Sequence, residues 1–188
     1  MTQEMTRNQD HAVSSVVLWP ILLTAASAAT TLALACTTPF AAVAALAATR
    51  MPARQGFALM AMAWAASQLI GFCVLDYPRD PLTFAWGGAM LTAALGAVAA
   101  ALWGARQVRQ GWLTLPTAFG SGFVAYKVVL LAWSLVLGGV HTALSPYWTV
   151  RQFGREALIL AGLVLLYRGL VRLGVPPAGT SRRGAAWA

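Results

Sequence analysis

Residues 82–105 read LTFAWGGAMLTAALGAVAAALWGA, without one charged side chain. An α-helix rises 1.5 Å per residue, so this run is about 36 Å long. The hydrocarbon core of a bilayer is roughly 30 Å thick. The stretch therefore predicts a membrane-crossing helix. Its small residues recur every fourth position: Ala89, Ala93, Ala97, Ala101 and Ala105, beside Gly88, Thr92, Gly96, Ala100 and Gly104. Small residues at that spacing let helix backbones approach closely in lipid. The spacing predicts packing within the molecule, with a docking face for another membrane subunit as the sharper alternative.

The flanks repeat the pattern. Upstream lies the polar loop Asp76-Tyr77-Pro78-Arg79-Asp80-Pro81, and downstream the basic turn Arg106-Gln107-Val108-Arg109. Apolar runs separated by such breaks predict six helices, over 16–36, 40–49, 55–75, 82–105, 113–140 and 147–173. The second is short for a span and is expected to be tilted, extended through its flanks or re-entrant. Residues 1–15 form a polar tail, 16–173 one transmembrane domain, and 174–188 a basic tail rich in Pro and Gly, expected to be disordered. Ala33-Leu34-Ala35-Cys36 faintly resembles a lipoprotein cleavage site. Arg7 is offset by Glu4 and Asp10, however, so the charged start of a signal peptide is missing. The expected fold is all-α, a compact six-helix membrane bundle.

Composition agrees. The chain has 188 residues, 59% hydrophobic and 10% charged, against about 25% charged in soluble domains. A formal charge of +8 would suggest nucleic acid in a soluble protein. Here the basic residues sit between apolar runs, where they set orientation in a bilayer instead. With both termini cytoplasmic, Arg50, Arg54, Arg106, Arg109, Arg168, Arg172, Arg182 and Arg183 lie inside. Arg79, Arg151 and Arg155 lie outside, partly offset by Asp76, Asp80 and Glu156. That is the positive-inside pattern of a bacterial inner-membrane protein.

Under this topology the unusual residues gather at the outer face: Cys36, Gln68, Cys73, Asp76, Tyr77, Trp86, His141, Tyr147 and Trp148. A pocket with apolar walls and a few polar anchors needs such a set. Each also has a plainer reading. A buried Cys behaves as a small hydrophobe, a His can cap a helix end, and Trp and Tyr populate the interfacial belt. Lys127, near the middle of its helix, is a functional candidate by depth alone. Proton-coupled transport would need an intramembrane acid, and the sequence pattern offers none. No hydrolase, phosphate-loop, zinc or CxxC motif is present.

Three segments carry a resemblance: Thr38-Pro39-Phe40-Ala41-Ala42, then Gln68-Leu69-Ile70-Gly71-Phe72-Cys73-Val74-Leu75-Asp76-Tyr77-Pro78, then Ala85-Trp86-Gly87. They resemble the BtuM-type vitamin B12 proteins of Gram-negative bacteria, solitary S-components of the energy-coupling-factor (ECF) transporter class. The resemblance covers the first four predicted helices in motif, and the rest in size and helix count. It implies a six-helix bundle that binds cobalamin from the periplasmic side. It implies a cysteine thiolate on the cobalt, able to assist loss of a cyanide ligand. Cys73 matches that position best, with Cys36 the fallback. Thiolates are soft, strong donors for transition metals. Asp76 and Tyr77 would then bond the corrin amides or the lower nucleotide. Ala25, Ala29 and Ala33 are similar to the face by which S-components dock a coupling module, although a solitary protein would need none. The alternatives are a non-catalytic packing subunit of a larger membrane complex, and an S-component for another vitamin.

Overall fold

The computed structural model describes Ile21, Leu23 and Thr24, and then residues 39–173. Expectations for the two tails, for Ala25, Ala29, Ala33 and Cys36, and for the break at Thr37-Thr38 lie outside the described residues. The elements are α1 (Phe40–Arg50), α2 (Ala53–Cys73), α3 (Pro81–Gln107), α4 (Gly111–Leu137), α5 (Val140–Leu144) and α6 (Pro146–Arg172). No strand occurs among the described residues.

Local chemistry sets the boundaries. Pro52 is extended and its carbonyl accepts from the amides of Gln55 and Gly56 at 3.0 and 3.1 Å, so α2 starts at Ala53 rather than at Gln55. Asp80 caps α3, its carboxylate accepting from the Thr83 amide at 2.7 Å, with Pro81 in the first turn. The fifth predicted helix does not reach residue 140. It stops at Leu137, because Gly138 and Gly139 take φ values of 92° and 90°, a region that side-chain-bearing residues rarely adopt. The chain then makes the short turn of α5, which holds His141, before Pro146 opens α6.

The short helix turns out to be the centre of the molecule. Every residue from Phe40 to Ala47 is buried. α1 touches α2, α3, α4 and α6. A helix apolar on all sides has no preferred outward face and is stable only when surrounded. Five alanines between Phe40 and Ala47 keep it thin enough for its neighbours to close around it. Its eleven residues make it about 16 Å long, roughly half a bilayer core.

The alanine stripe of α3 also faces inward: Ala89, Ala93, Ala97 and Ala101 are fully buried. On the opposing helix, a Cβ added to Gly122 would stand 3.2 Å from the Ala97 carbonyl oxygen. Ser121 Oγ reaches the Ala100 carbonyl at 3.0 Å while also within 2.8 Å of the Thr117 carbonyl of its own helix, so its one proton is shared between them, and Trp133 Nε1 donates to Thr92 Oγ1 at 2.9 Å. Trp64 Nε1 joins α2 to α3 through the Gly87 carbonyl at 2.8 Å. Close backbone approach plus interhelical hydrogen bonds is the packing that works without a hydrophobic driving force.

The outer surface is apolar. Val128, Leu135 and Val136 on α4 and Leu158 and Leu165 on α6 stand exposed. Three described helices, α2, α3 and α4, are long and apolar enough to cross a membrane. Soluble monomers rarely show such a surface, and the chain is a helical membrane protein.

Two glycines of α4 make a paired test. Gly122→Leu must push α3 away and should cost about 1–3 kcal/mol. A Cβ at Gly120 meets nothing within 4 Å, so Gly120→Ala should gain up to about 1 kcal/mol from helix propensity. Thermal unfolding in detergent, followed by circular dichroism, should move in opposite directions for the two variants.

Candidate functional site

A helix that begins inside a protein leaves amide donors pointing into apolar surroundings. At α1 those donors are met by Glu156. Its carboxylate accepts from the Ala41 amide at 2.8 Å and from the Ala42 amide at 3.3 Å. Gln152, one turn earlier on α6, donates to its other oxygen at 3.2 Å. Glu156 is 3% exposed. A carboxylate at a helix N-terminus also meets the positive end of the helix dipole. This overturns the expectation that Glu156 merely offsets surface arginines, and that no acid lies in the interior.

Glu156 interacts electrostatically with Lys127 of α4. Each lies ten residues from the same end of the bundle, Lys127 from Leu137 and Glu156 from Pro146. That places both at a depth of about 15 Å. The charge on Lys127 thus has an interior counterpart.

Between this pair and the bundle end lies a cavity of about 400 Å³. α3 contributes Trp86; α4 contributes Lys127 and Leu130. The glycine turn and α5 supply Gly139, Thr142 and Ala143. α6 adds Trp148, Arg151, Gln152 and Arg155. Trp86 lies in van der Waals reach of Gly139, 4.0 Å from where a side chain there would start; it is the φ of 90° that calls for glycine at this position. Arg151 is steadied from two sides. Its guanidinium donates to the Tyr147 hydroxyl at 3.2 Å and lies 5.7 Å from the Trp148 ring centre.

A second cavity, of about 420 Å³, opens between α2 and α3. It is lined by Trp64, Gln68, Phe72, Phe84, Gly87, Gly88 and Leu91. Phe72 and Phe84 stack at 5.1 Å. Gln68 donates to Ser67 Oγ at 3.4 Å, and its carbonyl oxygen fills the space beside Gly87.

The residues expected at the site are therefore divided. Trp86 lines the first cavity and Gln68 the second; Cys73, Asp76, Tyr77, His141 and Tyr147 line neither. Cys73, the last residue of α2, carries a free and exposed thiol. Asp76 follows in an exposed loop at φ 50°. Tyr77 folds back on the helix end, its amide donating to the Gly71 carbonyl at 3.1 Å and its ring against Phe72. A Cβ on Gly71 would meet that ring at 2.6 Å. His141 is exposed in α5, and Tyr147 is exposed beside Trp148. All of them nevertheless sit at one end of the bundle, where α2 and α4 end and α3 and α6 begin.

Sequence reading missed Arg151, Gln152 and Arg155 as cavity residues. The signal was present. Trp148, Arg151, Gln152 and Arg155 follow the i, i+3, i+4, i+7 spacing that puts side chains on one helix face. Among the described residues, no group of three or more His, Cys, Asp or Glu side chains is placed to hold a metal ion. No family model, curated protein or solved structure matches the chain. The class that the fold itself defines is a helical membrane protein with a tryptophan-walled, mostly apolar cavity at one end that carries cationic side chains.

Replacing Glu156 tests the central contact. Glu156→Ala leaves the amides of α1 unanswered and should cost roughly 3 kcal/mol. Glu156→Gln keeps an acceptor oxygen and should cost about half as much. Thermal midpoints in detergent should rank wild type above Glu156→Gln above Glu156→Ala. Equal midpoints would mean that α1 does not depend on this cap.

Proposed function

We propose that the chain is a transporter component of the bacterial inner membrane, crossing it six times with both termini in the cytoplasm. It binds cobalamin from the periplasmic side and mediates its uptake, as an S-component of the ECF class. The observation that carries this reading is Cys73. It is a free, exposed thiol at the end of a membrane-length helix. It sits inside the stretch Gln68–Pro78 that resembles the BtuM-type proteins. The corrin ring already supplies most of the ligands to its cobalt, so the protein has only to offer one axial donor. A thiolate suits that role.

The surroundings support the same reading. Asp76 and Tyr77 follow Cys73 in the loop, and Trp86, His141 and Tyr147 stand at the same end of the bundle. Aromatic rings suit the face and edges of a large planar ligand, and Asp76 suits its amides. Two half-open cavities flanking the start of α3 give this end a concave surface. Cysteine-assisted loss of cyanide from cyanocobalamin is the one chemical step the reading allows. Ala25, Ala29 and Ala33 remain the proposed docking stripe for an ECF coupling module, if one is used. The packing-subunit alternative is weakened by the alanine stripe of α3, which is consumed inside the molecule.

The test is the visible absorption spectrum of detergent-purified protein after incubation with cyanocobalamin and removal of free ligand. Bound corrinoid with an altered spectrum is expected for wild type and Cys36→Ala, and its loss for Cys73→Ala. Loss in Cys36→Ala alone would move the cobalt ligand to Cys36. Retention in both variants would remove the thiolate but keep the vitamin. Well-folded wild type that binds no corrinoid would sink the assignment.

A further inference from the structure

We infer that the cavity lined by Trp86, Lys127, Trp148 and Arg151 is a binding site for an anionic group, phosphate or carboxylate, carried on an apolar or aromatic body. The inference stands on the charge balance of the cavity and does not depend on the cobalamin reading.

Three cationic side chains, Lys127, Arg151 and Arg155, line the cavity. The nearby acid is Glu156, and it is already engaged. Both of its oxygens accept hydrogen bonds, from the α1 amides and from Gln152. Its charge is turned toward the start of α1. The other two acids among the described residues, Asp76 and Asp80, are exposed in the α2–α3 loop and do not line the cavity. Lys127 feels the charge of Glu156, yet its ammonium makes no hydrogen bond among the described residues. Lys127 and Arg151 alone bring two positive charges against the one of Glu156, in a concave space whose walls are mostly apolar. An anion entering it meets a focused field and hydrogen-bond donors on two helices.

The walls specify the rest of the ligand. Trp86 and Trp148 offer indole surface, and Leu130 and Ala143 offer aliphatic surface. The space, about 400 Å³, lies within the range of small-molecule sites. Arg151 is held by Tyr147 and Trp148, so little side-chain freedom is lost when it meets an anion. A soluble organic anion and an anionic lipid headgroup share this chemistry.

The experiment uses the full chain in nanodiscs of phosphatidylcholine, titrated calorimetrically with phenyl phosphate and with benzyl alcohol as the neutral counterpart. Phenyl phosphate should bind. Its affinity should fall at least tenfold in Lys127→Met and in Arg151→Gln, and fall with added salt. Benzyl alcohol should bind at least tenfold more weakly. Arg151 is exposed, so Arg151→Gln keeps the test valid even where Lys127→Met disturbs packing. Repeating the titration with phosphatidylglycerol in the nanodisc separates the sources. Competition assigns the site to lipid headgroups, and undiminished binding assigns it to a soluble anion. No heat with phenyl phosphate, equal binding of benzyl alcohol, or unchanged affinity in folded Arg151→Gln would overturn the inference.

Discussion

The bond from the Ala41 amide to the Glu156 carboxylate, 2.8 Å long, is the contact on which the arrangement of this bundle depends. α1 is enclosed from Phe40 to Ala47 and too short to run from one face of a bilayer to the other. Its first turn therefore starts where water cannot answer its amides. In such surroundings an unmet donor is costly, so α1 can sit at the centre only because a neighbouring helix delivers an acceptor. Delivering a carboxylate has its own cost of desolvation. The dipole of α1, the amide of Gln152 and the charge of Lys127 offset that cost together. The position of α6 against α1, and the orientation of its polar face, follow from satisfying this one group.

The same face of α6 then shapes the cavity. Once Glu156 points at α1, the residues one turn earlier and on either side, Gln152, Arg151 and Arg155, turn toward α4 and the glycine bend. Structure and cavity are therefore coupled through a single helical register. Lys127 belongs to both, sensing the buried carboxylate and lining the cavity. On the other flank of α3, Gly87 serves two neighbours at once. Its carbonyl takes the Trp64 indole, and its missing side chain makes room for Gln68.

Much of the architecture was legible in the sequence. Proline pairs, arginine turns and long uncharged runs place the helix ends within a few residues, because those residues act locally. The alanine spacing of α3 read correctly as an internal packing face. What escaped notice acts at long range. α1 has no amphipathic side to reveal its partners, so its central place could not be inferred from its own residues. Glu156 meets residues 114 and 115 positions away, and by composition alone it passed for a surface acid. The break at Gly138-Gly139 was readable, since paired glycines mark turns, but the surrounding apolar run masked it. Of the candidate site residues, Trp86 and Gln68 were brought to cavities. Cys73, Asp76 and Tyr77 were kept together by their short loop, while the arginines of α6 were weighed only as charges.

The distance along the chain between α1 and its cap bears on how such a protein is made. The amides of α1 emerge early in synthesis, and the carboxylate that answers them emerges only with the last helix. Until then the short helix lacks its acceptor, and lipid cannot provide one. The arrival of α6 is then what closes the core. A product cut short before Glu156 would carry an unanswered helix start.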